Sequence, residues 1–565
     1  MIHRITNNKA GLSVMLLCLA MLVGCGVPGP NGRPDTFGLN LYPSDWQMAD
    51  AAAPGGAKGV VVFVVDGVSP EIFDEMLTAG ELPAIEKYFL DRGLYVRQAS
   101  VNTPSVTTAN LTSLATGVAP GHHGVIAVNW FDRDQLIWRN YATIGQKNYV
   151  DRDYTTTTIY EHLGDAASYS LFFQPHRGST KFFENALSAG PTLAFGWYEL
   201  IDRIALHRFG EMASHARQRG DWPAVVMCYM LSPDFRAYCH GLDSPEYRDS
   251  LRHTDRQIGR VMGDFERTGM LDELVFAFTS DHGMVNVTEH FPLRRFLDKE
   301  VGLDLATREL WENTHLERRR SVYEQHTAVV NCCGNRYAAI ALRRPIRRNG
   351  EVVGYEPWSV RPTMADLHAY PVEGGQVDLP ALLSERQEIQ AVAFLAGPDS
   401  VRVMTAEGAV QFDQPAGRGG EITYRLIDGR DPLGWARAVP ADLLAGAPAS
   451  PQAWRRATMG LDFADTPMQL PAYFRSSRAG DIAVFAAVPW DLRKTVRAGH
   501  GGIDAAEMHV PLLMVGPSIQ PGLRSQGVST LDLVPTILSV LGRCVPDGLD
   551  GTVIPTGEAI LQAGP

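Results

Sequence analysis

The chain has 565 residues, 45% of them hydrophobic and 20% charged, which is the composition of a folded globular protein and excludes a disordered one. This length accommodates two to four domains with large cores. The net charge of −12 argues against a nucleic-acid partner, because nucleic acid favours a basic surface.

The first predicted element is an export signal. Basic residues precede the apolar run GLSVMLLCLAMLVG at 11–24, which is too short to span a bilayer comfortably but suits a signal peptide. The end of this run and Cys25 form LVGC, which resembles a bacterial lipobox. We therefore predict a lipoprotein signal peptide at 1–24, a lipid on Cys25 and a Pro/Gly-rich tether at 25–57. The alternatives are a plain signal peptide or an uncleaved anchor.

The predicted location follows from this segment. A lipid on Cys25 attaches the protein to a membrane of the bacterial cell envelope, and Gly26 favours the outer membrane over the inner one. We expect the protein at the periplasmic face of the outer membrane or at the cell surface.

Four apolar runs have the composition of buried parallel strands, at 59–65, 224–231, 273–280 and 510–516. Helix-like segments separate them, for example at 70–80 and 246–265. This alternation predicts an α/β fold with a mostly parallel central sheet and helices on both faces.

Acidic and imidazole side chains accompany these strands. One aspartate follows the first strand, an aspartate and a histidine follow the second, an Asp-His pair follows the third, and a histidine precedes the fourth. These residues are Asp66, Asp234, His240, Asp281, His282 and His500. Each alone is an ordinary turn or loop residue, but open parallel sheets bind ligands at the carboxyl ends of their strands. Carboxylate and imidazole together suit zinc or a similar divalent ion, and six such residues suffice for two ions.

A polar loop that continues into a helix, NTPSVTTANLTSLATG at 102–117, contains the adjacent Thr107 and Thr108. One interpretation of Thr107 is a helix N-cap. The other is a nucleophile, since a metal can deprotonate a hydroxyl group and a helix N-terminus binds anions. Asn110, one turn further on, is then a candidate donor to a non-bridging phosphate oxygen.

Together these residues resemble the alkaline phosphatase superfamily, and within it the nucleotide pyrophosphatase/phosphodiesterase branch. The resemblance rests on five motifs in this order: VVVFVVDGV, PSVTTANLTSLATGVAPGHHGVIAVNWFD, TSDHGM, GHGG and STLDLVPTILSVLG with DGLDG. It implies an alkaline-phosphatase-like core at 58–300 and 491–565, with an α+β cap inserted at 301–490.

The resemblance also implies a role for each site residue. Asp66, Thr107, Asp281 and His282 would hold one zinc ion, while Asp234, a following histidine and His500 would hold the other. Thr107 would attack phosphorus and form a phosphothreonine, and Asn110 would bind a phosphate oxygen. The expected cofactors are therefore two divalent metal ions, with zinc favoured.

One position departs from this pattern. The family places the second-site histidine four residues after the aspartate, where this chain has Tyr238, whereas His240 comes six residues after Asp234. A bulged or lengthened loop would be needed to deliver His240. Without it, the second metal site is weak or absent.

Four further residues are candidates for contacts with the substrate. Trp130 and Phe131 are candidates for stacking on a base or aryl group, with core packing as the alternative. His176 and Arg177 are candidate phosphate contacts, with a surface loop as the alternative. Between 336 and 360, two strand-like runs around Asn349-Gly350 predict a hairpin in the cap.

The sequence therefore predicts an exported, lipid-anchored two-metal hydrolase of phosphodiester or pyrophosphate bonds. Its partners would be a small phosphate-ester substrate and the membrane, with no nucleic acid. A phosphomonoesterase or a phosphonate hydrolase of the same superfamily is the alternative enzyme. A non-catalytic surface lipoprotein with a degenerate metal site is the alternative from another class.

Overall fold

The computed structural model describes residues 57–142, 149–184, 195–306, 316–493, 496–524 and 527–556, and a short strand pair, Val27–Pro28 with Pro34–Asp35. The predicted signal peptide, Cys25 and most of the tether lie outside the described residues. Among the helices of the described ranges, none combines the length and the apolarity that a membrane span needs.

Two large sheets contain fifteen strands of the described chain. In chain order they are Val60–Val65 (β1), Leu94–Ser100 (β2), Ser168–Leu171 (β3), Lys181–Phe183 (β4), Val225–Met230 (β5), Val275–Thr279 (β6), Ala328–Cys333 (β7), Tyr337–Leu342 (β8), Ile389–Gly397 (β9), Ser400–Thr405 (β10), Gly408–Asp413 (β11), Thr423–Gly429 (β12), Ile482–Ala486 (β13), His509–Val515 (β14) and Gly522–Arg524 (β15).

The longer helices of the described ranges flank these sheets. They are Pro70–Thr78 (α1), Thr107–Thr116 (α2), Tyr198–Arg219 (α3), Ser232–His240 (α4), Pro245–Arg267 (α5), Leu293–Lys299 (α6), Leu316–Gln325 (α7), Pro451–Thr458 (α8), Thr466–Arg475 (α9) and Leu533–Val540 (α10).

The central sheet has the strand order β15–β2–β14–β6–β1–β5–β3–β4. Both faces of β1 are buried, as its unbroken apolar sequence predicts. Val61, Phe63 and Val65 pack with helices α1, α3 and α5 on one side. The alternate residues of β1 pack with α2 and α10 on the other side. The predicted α/β fold, a mostly parallel sheet with helices on both faces, is therefore confirmed.

The fourth predicted strand has the opposite direction to its neighbours. Strand β14 pairs antiparallel with both β6 and β2, so its interpretation as a parallel strand was wrong. As a result, the beginning of β14 lies at the same edge of the sheet as the ends of β1, β2, β5 and β6, since His509 pairs with Ser100. Segments that precede β14 and segments that follow the other strands therefore meet at one edge.

A second sheet forms the cap, between 328 and 486. Its order is β7–β8–β13–β9–β10–β11–β12, and all its pairings are antiparallel. The predicted hairpin is present, with Pro345–Arg348 paired to Glu351–Tyr355. Its turn residues Asn349 and Gly350 both have positive φ angles, as a tight hairpin turn requires.

The cap and the central domain share a hydrophobic core. Val106 and Ala109, at the start of α2, belong to the same buried cluster as Tyr337, Phe485 and other cap residues. The cap therefore packs directly against the loop that carries Thr107.

Candidate active site

The structure brings five predicted metal-ligand side chains together at the shared sheet edge. They form two buried groups, Asp66 with Asp281 and His282, and Asp234 with His282 and His500. Within each group the potential ligand atoms all lie within 4.8 Å of one another. His282 belongs to both groups, so the two form one continuous site.

Asp66 is fixed by the turn that ends β1. Gly67 has a φ of +67°, and a Cβ atom there would lie 2.9 Å from the Cα of Asp234, so only glycine lets these two loops approach. The Tyr247 hydroxyl donates a hydrogen bond to the Gly67 carbonyl (2.9 Å). The Tyr229 hydroxyl donates to Oδ2 of Asp66.

His282 has a defined orientation. Its Nδ1 lies 3.1 Å from the Gly283 carbonyl, and because a carbonyl only accepts, Nδ1 carries the proton. Nε2 faces Oδ1 of Asp66 at 3.2 Å and Oδ2 of Asp281 at 3.5 Å. Without a cation these two carboxylates favour a protonated Nε2, whereas in a metal-bound His282 the Nε2 lone pair would face the cation.

Thr107 is the first residue of helix α2 and not its N-cap. The cap position belongs to Val106, which has no side-chain oxygen to cap the helix. The Oγ1 atom of Thr107 lies 3.1 Å from Nε2 of His282. The first backbone N–H groups of a helix have no partner within the helix, so Thr107 stands beside an anion-binding terminus. The geometry thus removes the N-cap interpretation of Thr107.

His500 is anchored to the loop that precedes Thr107. Its Nδ1 donates to the Ser105 carbonyl at 2.8 Å, and its Nε2 lies 3.9 Å from Oδ1 of Asp234. The Ser105 hydroxyl donates to the Gly502 carbonyl at 2.9 Å. The imidazole rings of His500 and His282 stack with centroids 3.5 Å apart. The loop that precedes Thr107 and the loop that carries His500 are therefore held together by these hydrogen bonds.

Asp234 lies in the first turn of α4, whose N-terminus is held by a buried carboxylate. Asp202 accepts hydrogen bonds from the backbone N–H groups of Leu231 (2.8 Å) and Ser232 (3.2 Å). Burial raises the pKa of Asp202 to about 7. This contact fixes the direction from which Asp234 enters the site.

The structure does not bring His240 to this group. Helix α4 continues regularly from Ser232 to His240, and with 3.6 residues per turn Asp234 and Tyr238 share a face while His240 lies on another. The His240 side chain is 38% exposed and lies 3.8 Å from Glu246. Tyr238 packs edge-on against the His500 ring, with centroids 5.6 Å apart. The lengthened loop that His240 required is absent between 232 and 240.

Asn110 has a different position from the one expected of a phosphate donor. It is fully buried, and its amide nitrogen donates to the carbonyls of Asn102, Pro104 and Val106 at 3.1–3.2 Å. Its Oδ1 accepts from the Asn102 backbone N–H at 2.8 Å. Asn110 therefore holds the 102–106 loop in shape, and its donors are directed at that loop.

The other candidate contacts are also internal. Trp130 and Phe131 are 1% and 5% exposed and lie in hydrophobic clusters, which favours the core-packing alternative. Arg177 pairs with Glu161 at 2.8 Å and donates to three backbone carbonyls. His176 lies 3.1 Å from Asp151 and stacks on Phe182.

Burial and, after it, charge repulsion set the electrostatics of the site. Burial and the neighbouring Asp66 raise the pKa of Asp281 to about 8, and the same causes raise the pKa of Asp234 well above its usual range. Burial alone would lower the pKa of His282, but Asp281 and Asp66 raise it to about 10. Burial and the charge of His282 hold the pKa of His500 well below its usual range. The charged forms of the three carboxylates would therefore be strongly stabilised by a cation bound between them.

The donor atoms fit divalent cations. Three buried carboxylate oxygens, Asp66 Oδ1, Asp234 Oδ1 and Asp281 Oδ2, have no hydrogen-bond partner among the described residues. Such oxygens are costly to bury unless a cation compensates them. The group around Asp66 and Asp281 has a full ligand set when Thr107 is included. The group around Asp234 and His500 has fewer ligands, because Tyr238 occupies the position four residues after Asp234 where a histidine ligand was expected.

Comparison with known proteins assigns the chain to a family. The family model for Type I phosphodiesterase / nucleotide pyrophosphatase matches residues 60–374, which is more than half of the chain. The chain belongs to this family. Its members are hydrolases of phosphodiester and pyrophosphate bonds, and metal dependence is expected of them.

Individual relatives of this phosphodiesterase family member are distant. An uncharacterized pyrophosphatase/phosphodiesterase of Schizosaccharomyces pombe is 20% identical over 275 residues, which are 45% of this chain and 50% of that protein. Mouse ectonucleotide pyrophosphatase/phosphodiesterase family member 1 is 25% identical over 228 residues, 40% of this chain and 24% of that protein. The matched region thus spans half or less of these relatives' length.

Solved structures show the same fold. Murine ectonucleotide pyrophosphatase/phosphodiesterase 5 matches with a TM-score of 0.52 and 16% identity, covering 86% of this chain and 96% of that one. An inactive threonine-to-alanine form of the murine protein, in complex with AMP, matches with a TM-score of 0.52 and 15% identity. The predicted alkaline-phosphatase-like fold is confirmed.

Two residues that position the ligands were not anticipated from the sequence. Tyr229 donates to Asp66, and Ser105 connects the Thr107 and His500 loops. Tyr229 was detectable as the one hydroxyl in the apolar run AVVMCYML. Ser105 had no comparable signal, because its partner lies 397 positions away in the chain.

Proposed function

We propose that this protein is a two-metal phosphohydrolase that cleaves phosphodiester or pyrophosphate bonds through a phosphothreonine on Thr107. The observation that carries this proposal is the position of Thr107 Oγ1, 3.1 Å from His282 Nε2 and at the N-terminus of helix α2. Three carboxylates and two imidazoles gather beside this half-buried hydroxyl, and these are side chains that bind divalent cations.

The metal ligands divide into two sets. Asp66, Asp281, His282 and Thr107 would hold one divalent cation, and Asp234 with His500 the other. Zinc suits this mixture of carboxylate and imidazole donors. Bound there, two cations would lower the pKa of the Thr107 hydroxyl and neutralise charge on the attacking and leaving oxygens.

Side chains and backbone groups of the protein position the reacting atoms. Oγ1 of Thr107 attacks phosphorus and gives its proton to solvent water. The Oγ1–P bond forms as the P–O bond to the leaving group breaks, and the leaving alcohol or phosphate takes a proton from solvent. A water molecule then attacks the phosphothreonine, the Oγ1–P bond breaks, the phosphate leaves with the water oxygen, and Oγ1 regains a proton from that water. The free N–H groups at the start of α2 bind the non-bridging oxygens, in place of the role first assigned to Asn110. Tyr229 and Ser105 keep Asp66 and His500 oriented.

A small nucleotide-like ester is the proposed substrate. The structural neighbour in complex with AMP supports this class. Phosphomonoesterase and phosphonate hydrolase activity are the alternatives to be separated by assay. A non-catalytic lipoprotein has one observation in its favour, the poor ligand set around Asp234.

We also propose that the protein is exported and anchored to the bacterial envelope by a lipid on Cys25. The support is the sequence alone, a short apolar run that ends in LVGC.

Substitution of Thr107 tests the catalytic proposal. Thr107→Ala should lower diester turnover by about 10³-fold or more, because no other hydroxyl can replace its oxygen. Thr107→Ser should retain measurable turnover. Thr108→Ala is the matched control, since its hydroxyl bonds to Gln174 at 3.1 Å instead of His282. The assay compares para-nitrophenyl mono- and diesters and a phosphonate ester at saturating zinc, followed by an acid quench to trap phosphate on Thr107. An active Thr107→Ala variant would overturn the proposal.

A further inference from the structure

A cavity lies beside strand β7 of the cap and is separate from the carboxylate cluster. It has a volume of about 810 Å³ and is bounded by α6, by β7 and by the segment that carries Leu492 and Arg493. Small-molecule sites commonly have volumes of roughly 300–1,000 Å³. None of the proposed metal ligands lines it.

The charge of this cavity is opposite to that of the protein. Its lining contains four cationic side chains, Arg294, Arg295, Lys299 and Arg493, and one carboxylate, Asp298. The chain as a whole has a net charge of −12. Such a concentration of cations in a concave surface of an acidic protein attracts anions.

Among the described residues, two of the cations are exposed and have no carboxylate that neutralises their charge. Lys299 pairs with Asp298 at 3.1 Å, and Arg294 donates to the Ala306 carbonyl at 2.6 Å. Arg295 and Arg493 are exposed, and neither has a carboxylate partner among the described residues. Guanidinium groups suit phosphate, sulfate and carboxylate because they present several N–H donors in one plane.

The remaining wall is apolar. Trp138, Val330 and Leu492 contribute to it, and Trp138 is buried. A simple inorganic anion would leave this surface uncovered, whereas an anion with an aromatic or aliphatic body would fill both parts. We propose that the cavity binds an organic anion, with its charged group at Arg295 and Arg493 and its apolar body against Trp138.

The cavity adjoins the active site through one turn of the cap. Arg493 donates to the Asn335 side chain at 3.3 Å, and the backbone of Asn335 pairs with that of His500. The anion is therefore either a separate ligand or a remote part of the substrate. The proposal of binding does not depend on the proposed catalytic function.

Calorimetric titration with 1-naphthalenesulfonate, which has an anionic group and an apolar body, tests the proposal. We expect one binding site per chain, with 1-naphthylmethanol and inorganic sulfate each binding at least about 10-fold more weakly. Arg295→Glu/Arg493→Glu should weaken binding by at least about 10-fold. The matched control is Arg217→Glu/Arg348→Glu, which makes the same charge change at two exposed arginines elsewhere. Lys299→Glu, an exposed change on α6, provides a second weakened variant if the double variant does not fold.

Diester kinetics distinguish the two sources of the anion. A raised KM in the presence of 1-naphthalenesulfonate identifies the cavity as part of the substrate site, and an unchanged KM identifies a separate ligand. Equal binding to the cavity variant and the control variant would overturn the proposal. Equal binding of the sulfonate and the neutral alcohol would overturn it as well.

Discussion

The identity of residue 238 should control the affinity for the second metal ion. Asp234 and Tyr238 are four residues apart on helix α4 and therefore share the face that points at His500. Tyr238→His would place an imidazole on that face, beside an aspartate and a histidine already present. We predict that this change strengthens binding of the second ion.

The expected gain in metal affinity follows from the contacts of Tyr238. Its hydroxyl makes only a long hydrogen bond of 3.4 Å to the Gly334 carbonyl, so losing that bond costs about 1 kcal/mol or less. Groups that merely orient a ligand change metal affinity by roughly 10–100-fold, and a direct ligand should do at least as much. We therefore expect the dissociation constant of the second ion to fall by at least about 10-fold, or about 1.4 kcal/mol.

Equilibrium dialysis against buffered zinc, followed by elemental analysis, measures both ions. Tyr238→Phe is the control, because it removes the hydroxyl and adds no ligand. His240→Ala should leave both ions in place, since His240 is 38% exposed and directed at Glu246. The reasoning fails if Tyr238→His binds zinc no better than Tyr238→Phe, or if His240→Ala loses an ion.

Three further predictions concern folding and location. Because burial raises the pKa of Asp202 to about 7, the folded protein binds its proton more tightly than the unfolded chain. The contribution of Asp202 to the free energy of unfolding should therefore decrease by up to about 4 kcal/mol as the pH rises from about 4 to 7, and in urea titrations Asp202→Asn should make the pH dependence shallower by that amount. Arg336 is fully buried and pairs with Asp504 at 2.6 Å and with Glu507 at 3.0 Å. Arg336→Met should therefore lower the free energy of unfolding by about 3–5 kcal/mol, as measured by urea denaturation at constant pH. Cys25→Ala should move the protein from the detergent phase to the aqueous phase in Triton X-114 partitioning, and an unchanged distribution would contradict the anchor.

Local sequence determined the elements of this protein and much of its chemistry. Apolar runs rich in β-branched residues, such as 59–65, favour buried strands, and an aspartate directly after such a run lies at a strand end wherever the strand is placed. Asp66, Asp281 and His282 were identifiable for this reason. Thr107 was identifiable because a polar loop followed by a helix predicts an N-terminus.

Tertiary structure decided which of these residues meet. His500 precedes its strand, so it reaches the site only because β14 is antiparallel, and a strand's direction depends on its neighbours and not on its composition. The three carbonyls that Asn110 binds are presented by a loop whose course the cap helps to fix, which a motif cannot show. For His240, the tertiary structure excluded a residue that the sequence had suggested as a ligand. Its spacing from Asp234 allowed a loop, but the segment forms a regular helix, and the rotation of about 100° per residue turns the imidazole away and leaves Tyr238 in its place.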